Sequence, residues 1–490
     1  MLELILRFRK NPVAFTADVK SAFLQIELDL RDRDFTRFFW TDNLNNNPYV
    51  LNFTRVLFGL RPSPHLLAAT LKHHFKKYKE QYPHTFDLLN SSIYVDDFIC
   101  GRNDVPDALR TILECLQIFS DASMLLHKWR TNSKQLDLLW QQGVETEFSE
   151  TSATDLKPLI KVLGLAWDSE KDLIYFDPKD LLKFMSHLWT LGVDWDSELP
   201  PKLRHKWQQW SSEAEGLTEI KIPRFYLGDV DQELSSVDIY CFSDASKSAY
   251  GTILYLRFVT CNNKIETSFI CSKSRVAPLK SLTLPRLELT AALLSARLAK
   301  QVSSCLKFNA NIYYWTDSLI SYYWIRADSS AFKPYIKNRV QEIQLLSDPS
   351  QWGHCPGKDN PSDLISRGTS AVKIAQNELW WHGPPWLKLT PDHWPNPHRD
   401  ILDSELCSEE LEYRSSVHVA VTQQRESLVD INRFSSLKKL LKVTAWVFRF
   451  VNNARIVNKS MNFYITADEI QNAEYFWLKY VQYNFIQLRY

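Results

Sequence analysis

The chain lacks the marks of several protein classes. Its eight cysteines, at positions 100, 115, 241, 261, 271, 305, 355 and 407, include no Cys-x-x-Cys pair. They read as free thiols in a reducing compartment, which excludes a disulfide framework and a zinc ribbon. His382, His393, His398 and Cys407 are too irregularly spaced for a standard zinc site. No apolar run reaches about 18 residues, so no membrane partner is expected. The opening MLELILRFRKNP is too short and too charged for a signal peptide, and no targeting signal is seen. Internal repeats and low-complexity tracts are missing too. Formal net charge is only +1, so affinity for nucleic acid would have to come from local patches.

What is present is a large apolar inventory. Of 490 residues 45% are hydrophobic and 17 are Trp, enough for roughly two to four domains. Residues 1–170 mix strand-like and helix-like runs. Residues 171–235 are rich in Trp and Lys at helical spacing and close with KIPRF. Residues 236–368 restart as a strand–helix alternation, an α/β pattern. Residues 369–425 include the Pro-rich HGPPWLKLTPDHWPNPH and read as a linker. Residues 426–490 read as helical, with Phe434, Leu437, Leu441, Thr444, Phe448 and Val451 at 3/4 spacing. The expected fold class is therefore multidomain, α+β followed by α/β, with a helical tail. Residues 432–459 hold seven Lys or Arg and no acid. That stretch reads first as the solvated face of an amphipathic helix, with nucleic-acid contact as the alternative.

Two sets of acids point to chemistry. In SSIYVDDFICG, Asp96 and Asp97 stand together between apolar runs, where two like charges repel unless they sit at a solvated turn or hold a cation. Mg²⁺ takes oxygen ligands, commonly carboxylates, and Asp18 at the end of the strand-like VAFTADV is the candidate third acid. The Gly-containing FTRVLFGLRPSPHLL, a loop opening a helix, lies between them. The second set begins at Asp244 in CFSDASKSAYG. Glu288 follows at the edge of the apolar stripe Leu287, Ala291, Leu294 and Leu298, an unusual place for an unpartnered carboxylate. Asp317 ends IYYWTDS, and WGHCPGKDNPSDLISRG carries His354 and Asp363. Any one of these acids alone would pass as a cap or surface group. Four near element ends of one α/β unit suit two divalent ions about 4 Å apart and phosphodiester hydrolysis.

The motifs YVDD, ADVKSAF, FGLRPSP, LHKWRTN and VLGLAW, in the order and spacing seen here, resemble those of retroelement reverse transcriptases. The whole chain resembles the central part of a BEL/Pao-type retrotransposon polyprotein. The resemblance implies a polymerase palm over 1–170 and a thumb or connection over 171–235. Asp18, Asp96 and Asp97 would be its catalytic metal ligands and Lys128 the general acid for pyrophosphate. Gly59, Ser63 and Pro64 would position template and nucleotide, and Phe23 would crowd a 2′-hydroxyl. Complete enzymes of the family carry a fingers subdomain before the Asp18 motif. Only 17 residues precede Asp18 here, so a truncated palm is expected.

The flanking words SDAS, LPRLEL, TDS and HCPGKDNPSDLISRG resemble the ribonuclease H domain of the same elements, over 236–368. Asp244, Glu288, Asp317 and Asp363 carry over as metal ligands, and His354 as an aid to product release or proton transfer. The implied cofactors are two Mg²⁺ or Mn²⁺ per site. The implied partners are an RNA template, a DNA primer, the RNA–DNA hybrid, deoxynucleoside triphosphates, and the protease and integrase of the polyprotein. LWWHGPPWL resembles the joint to integrase, and 426–490 the lead-in to it. Residues 232–370 are expected to fold alone. The implied location is a cytoplasmic virus-like particle, with nuclear entry as a further option. The rival reading is a non-catalytic relic or a domesticated nucleic-acid-binding protein.

Overall fold

The computed structural model describes residues 1–43, 45, 47–143, 159–176, 204–205, 208, 212–213, 215–228, 234–278, 282–395, 411–413, 429–455 and 463–487. The chain divides into two compact units, Met1–Arg414 and Ser415–Tyr490.

The first unit opens with helix α1 (Leu2–Phe8) and strand β1 (Val13–Val19). A short hairpin follows, β2 (Arg37–Trp40) and β3 (Tyr49–Asn52), then helices α2 (Ser63–Phe75) and α3 (Pro83–Ser92). Strands β4 (Ile93–Tyr94) and β5 (Asp97–Arg102), helix α4 (Val105–Ser120), strand β6 (Leu126–Thr131) and helix α5 (Lys134–Gly143) complete the set. The sheet order is β4-β5-β1-β6, antiparallel throughout. Central β1 is apolar on both faces because both are covered. Val13, Phe15, Ala17 and Val19 meet Leu67, Leu71, Ile112 and Phe119 from the helices. Ala14 turns the other way, toward Phe8, Ile99, Val162 and Trp167.

That second face is closed by a small sheet: β7 (Leu159–Val162), β8 (Leu165–Asp168), β9 (Leu173–Phe176) and β10 (Lys221–Pro223), ordered β10-β9-β8-β7. Trp167 is fully buried there, edge-on to Phe8 at 5.0 Å.

A five-stranded sheet follows. Strands β11 (Leu234–Ala245), β12 (Ala249–Thr260) and β13 (Ile265–Val276) form an antiparallel meander. After helix α6 (Leu284–Leu306), β14 (Asn311–Thr316) returns parallel to β11. Helices α7 (Leu319–Arg326) and α8 (Pro334–Leu346) lead to β15 (Trp352–His354), parallel to β14. The order β13-β12-β11-β14-β15 puts Asp244 and Asp317 at the same end of neighbouring strands. Helices α6, α7 and α8 bury one face around Leu254, Leu289, Ala296, Trp324 and Ile336. On the other face lie α9 (Asp363–Arg367), α10 (Ala371–Ala375) and α11 (Glu378–His382). There Trp380, Trp386 and Leu387 pack on Tyr240, Phe242, Tyr255 and Trp315. Residues 371–394, read from sequence as linker, thus include a wall of this sheet.

Two buried arginines tie the sheets together. Arg9 donates to the carbonyls of Pro223, Arg224, Phe269 and Ile270 and lies over the Tyr226 ring. Arg224, with no exposed surface, forks onto Asp172 at 2.6 and 2.8 Å and also donates to the carbonyls of Phe8, Asn11 and Pro12. Leu6 of α1, Tyr226 and Leu411 belong to the apolar core of the five-stranded sheet. The expectation that 232–370 folds alone is therefore corrected. That piece would leave open the places of Leu6, Tyr226, Leu411 and the Trp wall.

The second unit pairs α12 (Leu437–Arg455) with α13 (Ala467–Gln487). Its core is Leu440, Leu441, Ala445, Ala473 and Trp477. The Trp477 indole donates to Thr444 Oγ1 at 2.8 Å. Leu437, assigned to the apolar stripe from spacing, is 65% exposed; Leu440 takes the inward place one turn later. Among the described residues no helix is long and apolar enough to cross a membrane.

Candidate active site

The polymerase-like acids meet at one end of the first sheet. β4 and β5 are joined through Val95 and Asp96, and Val95 takes φ +59°, a costly conformation for a β-branched residue. Asp97 is already in β5, directly opposite Asp18 of β1. The two carboxylates of the YVDD motif therefore sit differently: Asp96 on the turn, Asp97 in the ladder. Burial first, and then the charges of Asp18 and Asp96, push the Asp97 carboxyl up to about 6, against the pull of Lys128.

Lys128 reaches this group by a local irregularity. The β1–β6 register slips between Thr16 and Asp18, and Lys128 takes φ +52°. Such a bulge re-aims a side chain, and here Lys128 Nζ lands 2.8 Å from Asp18 Oδ2. The other candidates lie between β1 and the first turn of α2 in the chain. Phe23 is buried and meets Phe58 of the FGLRPSP loop edge-on at 4.8 Å. Gly59 holds φ +82°, which a side chain tolerates poorly. Ser63 is buried, with its Oγ donating to the Leu57 carbonyl at 2.6 Å; it braces the loop rather than facing outward. Pro64 is exposed in the first turn of α2.

The second acid set forms a tighter electrostatic group. Asp244 ends β11, Glu288 projects from the first turns of α6, Asp317 follows β14 and Asp363 opens α9. Burial is the leading cause that raises Asp244, Glu288 and Asp317. Beyond burial, Asp244 is raised by Asp317 and Asp363, Glu288 by Asp244, and Asp317 by Glu288 and Asp363. All four acids are linked through these charges. Asp317 Oδ1 is buried without a hydrogen-bond partner, a costly state for a carboxylate oxygen. Burial lowers the His354 imidazole, against a hydrogen bond to the Asp317 carbonyl that raises it, and Nε2 lies 3.1 Å from that carbonyl. The carbonyl can only accept, so the proton sits on Nε2 and Nδ1 is left as acceptor. Gly353 lets the Trp315 ring lie against the backbone before His354; a Cβ there would stand 2.7 Å from the ring.

Both sets offer the hard oxygen donors that Mg²⁺ or Mn²⁺ takes, and a cation would relieve the repulsion that raises Asp97, Asp244, Glu288 and Asp317 and satisfy Asp317 Oδ1. In donor type the residues suit such an ion. As they stand, no group of three or more His, Cys, Asp or Glu among the described residues forms a ready cage for one. Sequence reasoning missed the hydroxyls around Asp363: Ser362 and Ser366 are both buried, and Ser366 Oγ bonds Asp244 Oδ2. The run NPSDLIS carried that signal, with serines one before and three after the acid.

Comparison with known proteins falls on the same two regions. Residues 3–132 match the reverse transcriptase (RNA-dependent DNA polymerase) family. Residues 177–318 match the Pao retrotransposon-like RNaseH-like domain, which takes in Asp244, Glu288 and Asp317 and ends before His354 and Asp363. No curated protein matches. Among solved structures, a foamy viral protease–reverse transcriptase in complex with an RNA/DNA hybrid is similar at 13% identity and a TM-score of 0.42, covering 73% of this chain and 45% of that one. A second foamy viral protease–reverse transcriptase structure, with double-stranded DNA, is similar at 13% identity and a TM-score of 0.41, covering 73% and 59%. The chain thus spans about half the length of these solved proteins. Each acid-bearing region of the chain thus has its own family match, the first to the reverse transcriptases and the second to the Pao retrotransposon-like RNaseH-like domain.

Proposed function

We propose that the chain acts on the nucleic acids of a retrotransposon through two separate sites, one joining deoxynucleotides on an RNA template and a DNA primer, the other cutting the RNA strand of the resulting hybrid. The carrying observation is that each matched region brings its own carboxylates together, Asp97 raised beside Asp18 and Asp96 in the first, and Asp244, Glu288 and Asp317 raised by one another's charges and by burial in the second. In the first site Asp18, Asp96 and Asp97 would hold divalent ions, and in the second Asp244, Glu288, Asp317 and Asp363. Bound there, such ions supply charge neutralisation and an activated hydroxyl for in-line displacement. Lys128, already against Asp18, is suited to give a proton to departing pyrophosphate. His354, with Nε2 against the Asp317 carbonyl and Nδ1 left to accept, is suited to take a proton as cleaved strand leaves. Phe23, edge-on to Phe58 of the FGLRPSP loop, would narrow the sugar pocket. Element proteins such as the protease and integrase, and a cytoplasmic particle, belong to the same proposal.

The test is hybrid cleavage by the full chain in Mg²⁺ or Mn²⁺. The expected result is cleavage of the RNA strand, chosen by groove shape and the 2′-hydroxyl, and loss of that cleavage to background in Asp317→Asn. A folded chain that binds hybrid and leaves it intact would decide for the relic.

A further inference from the structure

Helix α9 is fastened to the end of β11 by buried polar bonds that the expected metal ligands do not explain. Asn360 Nδ2 donates to the Ser243 carbonyl at 3.0 Å, and Ser362 Oγ donates to the Phe242 carbonyl at 2.7 Å. From the strand side, Ser246 Oγ donates to the Ser366 carbonyl at 2.6 Å. These bonds connect backbone and serve the frame. The fourth is different in kind: Ser366 Oγ donates to the carboxylate of Asp244. Ser366 is 2% exposed, and Asp244 is 5% exposed. Ser366 Oγ also lies 3.1 Å from the Asp363 carbonyl, but its single proton goes to the charged acceptor, which makes the stronger bond. Gly251 permits this closeness, since a Cβ there would meet Ile365 Cγ2 of α9 at 3.1 Å.

We infer that Ser366 is a positioning residue of the RNase H-like site: its hydroxyl holds one oxygen of Asp244 and so fixes the carboxylate's orientation for a divalent ion, while Ser362 only holds the helix in place. The inference rests on the proposed metal-dependent reading of that site. A hydroxyl on a ligating carboxylate costs binding when removed, typically 10–100-fold in metal affinity or activity. The frame serines should act on folding instead, because they touch no ligand.

The test uses the full chain, Mn²⁺ titration calorimetry and thermal unfolding, with hybrid cleavage read alongside. Asp244→Asn defines the share of Mn²⁺ binding that belongs to this site. Ser366→Ala is expected to weaken that share by about 10–100-fold, with cleavage restored by raised Mn²⁺ and Tm close to the parent. Ser366→Thr, which keeps the hydroxyl, should recover most of the affinity. Ser362→Ala should lower Tm and leave Mn²⁺ affinity unchanged. If Ser366→Ala fails to fold, the near-isosteric Ser366→Cys, with its weak donor, replaces it with the same expectation. Parent-like Mn²⁺ affinity in the Ser366 variant, beside clear loss in Asp244→Asn, would overturn the inference. An equal loss in Ser362→Ala would overturn it too. Unchanged binding in Asp244→Asn would instead overturn the metal-site reading beneath it.

Discussion

The two acid sites of this chain are built on opposite plans. The palm acids stand at an open sheet end, with Lys128 as an exposed partner and a strained turn at Val95. The RNase H-like acids are recessed, charged against one another, and backed by a buried frame of Asn360, Ser362 and Ser366. Geometry in the first rests on backbone irregularity, a bulge and a left-handed residue. In the second it rests on side-chain hydrogen bonds between two elements.

The largest effect expected breaks the comparison by striking what both sites share. Arg224→Ala removes the fork on Asp172 and its bonds to the carbonyls of Phe8, Asn11 and Pro12, of which Pro12 keeps the Asn132 amide as a partner. Loss of one partner from a buried ion pair costs about 3–5 kcal/mol. Denaturant unfolding of the full chain should show that loss, with the palm and the five-stranded sheet weakened together; an unshifted midpoint would refute it.

Two glycines sharpen the contrast between the plans. Gly353→Ala sets a methyl 2.7 Å from the Trp315 ring, and overpacking of this kind costs about 1–3 kcal/mol. Gly59→Ala meets nothing within 4 Å, so only its φ of +82° is penalised, about 1 kcal/mol. Unfolding midpoints should rank them in that order.

A smaller effect depends on pH. The Asp97 carboxyl sits at about 6 in the folded chain, above its unfolded value of about 3.9. Between those values the folded state binds more protons than the unfolded one, so this group's contribution falls as pH rises through that window. Asp97→Asn is therefore expected to raise Tm at pH 7.5 by about 2 °C and to leave it nearly unchanged at pH 4. A gain of equal size at both pH values would contradict the assignment. The smallest change in stability is expected for Lys128→Met. An exposed ion pair contributes about 1 kcal/mol or less, yet loss of a proton donor costs roughly 100-fold or more in rate. Primer extension falling without a matching change in Tm is the expected outcome.

The acids and their order were legible because they lie in short runs with fixed neighbours. Asp18 ends an apolar run that makes a strand, and YVDD straddles a hairpin. The seam was not legible: Arg9 and Ile270 are 261 positions apart, and no local pattern distinguishes a buried arginine from a solvated one. The Trp wall was misread as linker because Pro-rich composition reports the backbone's irregularity and says nothing of what its rings cover. The reach of Lys128 depends on a one-residue slip in register, which alternation alone does not reveal.

The seam has a consequence for covalent continuity. Arg9 and Asp172 lie before residue 177, Arg224 and the Phe269–Ile270 carbonyls after residue 214, and β9 pairs with β10 across the same interval. A backbone cut between 177 and 214 would sever the peptide chain without severing the body. The two pieces should co-purify, and made separately they should reassemble, as a split protein complemented by its own missing half.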